Sequence, residues 1–155
     1  MTAAWIVSAN ASRARFFSQG NSAERLEEIN DMVNTAARLR TVETETDDIG
    51  LRSASKSRHS VGAATPQSGY QPNQTPAEHQ TELFARNVAD FLLQGYQEGR
   101  FQQIVLAASP EFLGVLRKLL DQRLASVVSL EINKDYTQFS GEQLREQIAA
   151  HQTKG

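Results

Sequence analysis

The distribution of apolar residues along the chain divides it into three parts. Of 36 Leu, Ile, Val and Phe residues, 8 precede residue 41, 4 lie in residues 41–80 and 24 lie in residues 81–150. The last part alternates strand-like and helix-like apolar patterns, whereas the middle part has too few large side chains for a core. The pattern predicts one α/β domain over residues 1–150, with a long mobile loop at about 41–74 and a tail at 151–155.

The first forty residues favour β-structure. Residues 5–7 and 14–17 are short β-favouring runs, and the Asn and Ser residues between them predict the turn of a hairpin. A third strand carries Leu26, Ile29 and Val33, and its three acidic side chains are typical of a strand at a sheet edge.

Helix signals begin at Thr75. Thr75 and Glu78 form the pattern of a capping box around Pro76, and an amphipathic apolar stripe continues from there to Gly99. A buried strand is predicted over residues 101–107.

Two further helices and one strand follow. Ser109 and Pro110 predict the start of a second helix, residues 127–132 predict a strand, and Ser140 opens a capping box for a final helix. A strand–helix–strand unit makes its two strands parallel, so together with the hairpin the sheet is mixed and has flanking helices. We expect one shared core of nine residues: Phe84, Val88, Phe91, Ile104, Leu106, Leu113, Leu116, Leu120 and Ile132.

Net charge and composition exclude several kinds of binding site and catalytic chemistry. The net charge of −2 gives no global basic field, and the absence of cysteine excludes disulfides, thiolate zinc sites and a cysteine nucleophile. The charge is uneven: residues 24–48 carry eight acids and three bases, whereas residues 49–77 carry three bases and no acid. Any attraction to a polyanion must therefore be local.

Catalytic and targeting signals are not found in the sequence. His59, His79 and His151 are too far apart for a paired metal motif, and no phosphate-binding loop or nucleophile elbow occurs. We therefore predict no catalytic residues, no metal and no cofactor. The first residues contain neither a basic region nor an apolar stretch of signal-peptide length, which predicts a cytoplasmic protein without a membrane partner.

Two regions are candidates for binding an anion or RNA. Asn10, Ser12, Arg13 and Arg15 cluster at a strand end, where the two arginines, two residues apart, are expected to lie on one exposed strand face. A hairpin turn with a solvated edge explains the same residues without a ligand. At the end of another strand, Asp135 either joins a ligand site or bonds backbone at a turn.

The second candidate is the predicted loop. It contributes the cations Arg52, Lys56 and Arg58 and the aromatic Tyr70, and it leads directly into a helix N-terminus, which favours anions. The alternative is an insertion that binds no ligand.

Four segments, in order along the chain, resemble the bacterial host attachment protein family. They are residues 5–17, Phe84-Ala85 in the long helix, residues 104–117 and residues 131–137. The family fold is similar to the middle domain of archaeal and eukaryotic peptide-chain release factors, so the resemblance implies a release-factor-like domain.

The resemblance also implies functions. The leading interpretation is a non-enzymatic module that associates with RNA or the ribosome. One alternative is a protein-interaction or regulatory domain that affects attachment to host cells indirectly. A less favoured alternative is a peptidyl-tRNA esterase acting through the loop tip, where Gly69, Tyr70 and Gln71 stand in place of the release factors' Gly-Gly-Gln.

Overall fold

The computed structural model describes residues 3–20, 25–37 and 75–154. The predicted loop at 41–74 lies outside these residues. The described part is an α/β domain with a mixed sheet and flanking helices, as predicted. Its elements in chain order are β1 (Ala4–Ala9), β2 (Arg13–Gln19), β3 (Glu27–Val33), α1 (Pro76–Gln97), β4 (Gln103–Ala108), α2 (Pro110–Leu119), α3 (Gln122–Ala125), β5 (Val128–Ile132) and α4 (Gly141–Lys154).

The five strands lie in the order β3-β2-β1-β4-β5. The pairs β1–β2 and β2–β3 are antiparallel, and β1–β4 and β4–β5 are parallel. The carboxyl ends of β1, β4 and β5 therefore share one edge of the sheet, which we call the carboxyl edge. This edge carries the β1–β2 turn, the start of α2 and the segment that follows β5.

Local signals explain where the helices begin. Thr75 Oγ1 accepts from the Glu78 amide at 3.1 Å and Glu78 Oε1 accepts from the Thr75 amide at 2.9 Å, so the predicted capping box is present. The same exchange between Ser140 and Gln143 opens α4. Ser109 occupies the N-cap position of α2, but its side chain makes no capping hydrogen bond. Helix α4 continues to Lys154, so most of the expected tail is helical.

The predicted single core is wrong, because the sheet separates the buried side chains into two clusters. Successive residues of a strand point to opposite faces, so Val7 and Leu106 join the cluster under α1 and α2, whereas Ile6 and Val105 join the cluster under α4. Ile132 belongs to the second cluster, apart from the other eight predicted core residues.

The cluster under α1 and α2 is rich in aromatic rings. Trp5 stacks on Phe91 with ring centroids 5.4 Å apart and lies 4.6 Å from Phe101. Gly95 of α1 lets the helix approach this indole, since a Cβ there would lie 2.5 Å from a Trp5 ring atom. Helix α1 thus packs closely over β1.

Candidate functional site

The β1–β2 turn at the carboxyl edge is held by the side chain of Asn10. Its Oδ1 accepts from the backbone amides of Ser12 and Arg13, both at 2.8 Å, and the backbone N–H of Asn10 donates to the Arg13 carbonyl at 2.8 Å. An asparagine that bonds the backbone two and three residues ahead stabilises a tight turn. The predicted hairpin turn is therefore confirmed.

The side-chain nitrogen of Asn10, Nδ2, joins this turn to the segment after β5. Asn10 Nδ2 donates to Asp135 Oδ2 at 2.8 Å and to Thr137 Oγ1 at 3.2 Å. The Thr137 amide and hydroxyl both donate to Asp135 Oδ1, at 2.9 and 2.7 Å. Asp135 thus bonds backbone at a turn, one of its two expected roles, and it also bonds the β1–β2 turn through Asn10.

The charge of Asp135 is stabilised by these donors. Burial raises the pKa of its carboxyl group, but the hydrogen bonds from Asn10 and Thr137 outweigh burial and lower the pKa below its ordinary value of 3.8. A carboxylate that accepts several hydrogen bonds stays ionised in this way. Asp135 therefore carries its negative charge throughout the neutral range.

Arg15 connects β2 to β3 and to the segment after β5 at this edge. Its guanidinium pairs with both carboxylate oxygens of Glu28 at 2.9 Å, and its Nη1 donates to the carbonyls of Thr137 and Phe139 at 3.0 and 2.6 Å. It also lies 5.0 Å from the Phe17 ring centroid, and only 12% of the side chain is exposed. The expected exposed arginine face is therefore wrong for Arg15, because protein oxygens surround its donors.

Arg13 is more open than Arg15, yet it also has a carboxylate partner. Its Nε and Nη2 donate to the two carboxylate oxygens of Asp31 at 3.0 and 2.7 Å, with 38% of the side chain exposed. The hydrogen bond with Asp31 raises the pKa of Arg13 and, from the other side, lowers the pKa of Asp31. Both groups stay charged, and Asp31 offsets the field of Arg13.

A pocket of about 470 Å³ opens beside this pair. A bare phosphate at its wall would face the Asp31 carboxylate as well as the Arg13 guanidinium. The geometry suits a polar ligand with donors and acceptors better than a small anion. Its lining residues are Asn10, Ser12, Arg13, Asp31, Val33, Thr137 and Gln138.

The structure thus brings together Asn10, Ser12, Arg13 and Arg15, and anion binding by them stays a prediction. The partners Glu28 and Asp31 were not predicted from the sequence, although their position on the neighbouring strand was a usable signal. The other six candidates lie outside the described residues: Arg52, Lys56, Arg58, Gly69, Tyr70 and Gln71.

The described part of the chain offers neither a cluster of metal-binding groups nor a membrane-spanning helix. Within residues 3–20, 25–37 and 75–154, no group of three or more His, Asp or Glu residues is placed to hold a metal ion. His151 lies on α4, where its Nε2 is 3.3 Å from the Tyr136 hydroxyl. No helix in the described part of the chain has the length and apolar character needed to cross a membrane.

Fold and site together define an α/β domain whose carboxyl edge carries a hydrogen-bonded network of polar groups, from the buried Thr137 to the exposed Asp135. Residues 5–148 match the family described as "Protein required for attachment to host cells". The chain belongs to this host attachment family, as its sequence segments indicated. No curated protein matches the sequence.

Among solved structures, the chain is similar to the crystal structure of the archaeal translation termination factor aRF1. The identity is 11% and the TM-score is 0.49, with 98% of this chain and 39% of that chain covered. The chain therefore spans well under half the length of that factor.

Proposed function

We propose that this domain is a non-enzymatic module that binds structured RNA, with the ribosome as the first target to test. The observation that supports the proposal is the position of the two anchors that flank the basic part of the chain. Residues 49–77 carry Arg52, Lys56 and Arg58 without any acid. The described residues on either side of this part, those after β3 and those at the start of α1, lie at the carboxyl edge.

The first anchor is Asn34, just after β3. Its amide donates to the Ser12 carbonyl at 2.8 Å, and its Nδ2 donates to the Ala11 carbonyl at 3.0 Å. The second anchor is the start of α1, where Glu78 and Thr81 line one pocket together with Ala11. The chain therefore departs from and returns to the neighbourhood of the β1–β2 turn.

Charge supports the choice of ligand. The chain as a whole is slightly acidic, and the described cations Arg13, Arg117 and Arg123 each bond a carboxylate. The three bases of residues 49–77 form the one acid-free basic stretch that sequence analysis identified. Lysine and arginine side chains that neutralise phosphates give binding that weakens as salt rises.

The test is sedimentation with purified bacterial ribosomes across a series of salt concentrations. We expect the wild type to pellet with ribosomes at low salt. The triple variant Arg52→Ala, Lys56→Ala, Arg58→Ala should lose most of this binding, and the slope of log affinity against log salt should fall by about 2–3, near one unit per lost contact.

A matched control removes three cations elsewhere. The variant Arg117→Ala, Lys118→Ala, Arg123→Ala changes the net charge equally, and its three positions are exposed. It should bind as the wild type does. Equal losses in the two variants would show only a response to net charge, and unchanged binding in the first variant would refute the proposal.

A further inference from the structure

An open groove of about 700 Å³ lies between α1 and α2, on the helix-covered side of the carboxyl edge. This volume is within the range of protein ligand sites. The groove is separate from the polar pocket beside Arg13, and it has an apolar floor and a charged rim. Its lining residues are Ala11, Glu78, Thr81, Glu82, Ser109, Glu111, Phe112, Val115, Lys118 and Leu119.

The floor is formed by a second apolar stripe of α2. Phe112 and Leu116 are buried against the core, and Leu116 is fully inaccessible to solvent. Val115 and Leu119, one helical turn apart, are only half-buried and line the groove. Both side chains pack in part against the core cluster, and their exposed remainder presents aliphatic surface to the groove.

The rim at one end of the groove is acidic. Helices α1 and α2 both begin at the carboxyl edge, and Glu78 and Glu111 lie in their first turns. The hydrogen bond with the Thr75 backbone lowers the pKa of Glu78, so that group is ionised at neutral pH. Glu82, one turn further along α1, also lines the groove, but its Oε1 lies 3.5 Å from Arg86 Nη2, so this cation offsets its charge. Lys118 is the basic lining residue, and it lies two turns away along α2.

These charges exclude some ligands and favour others. A phosphate-rich strand would meet the carboxylates of Glu78 and Glu111, and like charges placed together at an interface are strongly unfavourable. A cation near Glu78 and Glu111 gains attraction from both carboxylates. An aliphatic side chain attached nearby would cover Val115 and Leu119 and remove apolar surface from water.

We propose that this groove binds a short cationic amphipathic helix of another protein. The eight-residue step from Glu111 to Leu119 spans about 12 Å, equal to about two turns of a docked helix. One face of that helix places aliphatic side chains on Val115 and Leu119, and a Lys or Arg one or two turns away reaches the acidic rim. An amphipathic helix in a groove is an established mode of peptide recognition.

The test measures fluorescence anisotropy of a labelled model peptide with the full chain. The peptide is a helical sequence of about 14 residues, with Leu on one face and two Arg near one end, long enough for two docked turns. A matched peptide replaces both Arg by Glu. The Arg peptide should bind saturably, and the Glu peptide should bind at least about tenfold more weakly, because its charge opposes the rim.

Variants locate the binding. Glu111→Lys should lower the affinity for the Arg peptide at least about tenfold and raise the affinity for the Glu peptide. A folding defect cannot produce this reversal. Glu142→Lys is the matched control, since Glu142 is also an exposed first-turn acid, on α4. It should leave both affinities unchanged. Val115→Ser should weaken both peptides, with thermal melting showing that it stays folded.

Several outcomes would overturn the proposal. Equal binding of the two peptides, or equal effects of Glu111→Lys and Glu142→Lys, would contradict a site at this rim. If the Arg peptide binds only after deletion of residues 51–72, the groove would be assigned to that segment of the same chain and not to another protein. Sedimentation showing a dimer that Val115→Ser dissociates would assign it to a second copy.

Discussion

The two faces of the sheet are stabilised in different ways. Under α1 and α2, large rings such as Trp5, Phe16 and Phe112 are almost fully buried. Under α4, the cluster is smaller and is bordered by the guanidinium of Arg15 and its four oxygen partners. One face relies on apolar area, and the other combines a modest apolar cluster with charge-assisted hydrogen bonds.

The difference follows from the number of elements available on each face. The helices α1 and α2 cover the first face, whereas α4 and the segment from β5 to α4 cover the second. That segment has backbone carbonyls that no strand or helix pairs, and Arg15 satisfies those of Thr137 and Phe139. A buried carbonyl without a donor is costly, so the polar network is what allows an irregular segment to pack here.

The largest expected effect compares a leucine from each face. Leu116 and Leu144 are both fully buried, in the first and second clusters respectively. Leu116→Ala should lower the free energy of unfolding by roughly 2–5 kcal/mol, and Leu144→Ala should lie at the lower end of that range because α4 can settle into the cavity. Urea denaturation measures both. A loss under about 0.5 kcal/mol for Leu116→Ala would contradict its place in the core.

The next effect separates the two arginines of β2. Arg15→Met should destabilise the domain by about 2–3 kcal/mol, because it leaves the Glu28 carboxylate and two carbonyls without their donor. Arg13→Met, which removes a pair with both side chains more than a third exposed, should cost at most about 1 kcal/mol. Equal losses in urea denaturation would show that the two arginines play the same role.

The sequence was sufficient for most of the fold. Capping boxes at Thr75 and Ser140 and apolar stripes identified the helix starts, since these signals are local. The short helix α3 was missed: four residues give no periodicity, and its signal was the capping of the Arg123 amide by Asp121 at 2.8 Å. The division into two cores was missed because it depends on which face each strand residue takes.

The candidate site was only partly predictable. The cluster of Asn10, Ser12, Arg13 and Arg15 was visible as neighbours in sequence, and so was the Asp135 turn. The contact between Asn10 and Asp135 joins residues 125 positions apart. It exists because β1 and β5 end at the same edge of the sheet, which follows from the strand order. The register between β2 and β3 likewise places Asp31 beside Arg13 and Glu28 beside Arg15.

The smallest expected effect tests the polar network through pH. The pKa of Asp135 is below 3.8 in the folded protein, so its contribution to stability is complete above that ordinary value and is lost as the pH falls further through the folded pKa. Asp135→Asn should cost about 1 kcal/mol at neutral pH. It should also flatten the decline in stability that urea denaturation detects as the pH falls below 3.8.

Asn10→Ala distinguishes this charge effect from a general loss of the turn. Without its Asn10 donor, Asp135 keeps the bonds from Thr137, so the pH dependence should weaken only in part. The variant also loses the bonds to the Ser12 and Arg13 amides, and stability should therefore fall at every pH. If Asp135→Asn and the wild type lose stability in parallel on acidification, the carboxylate at the carboxyl edge contributes no more than a neutral amide does.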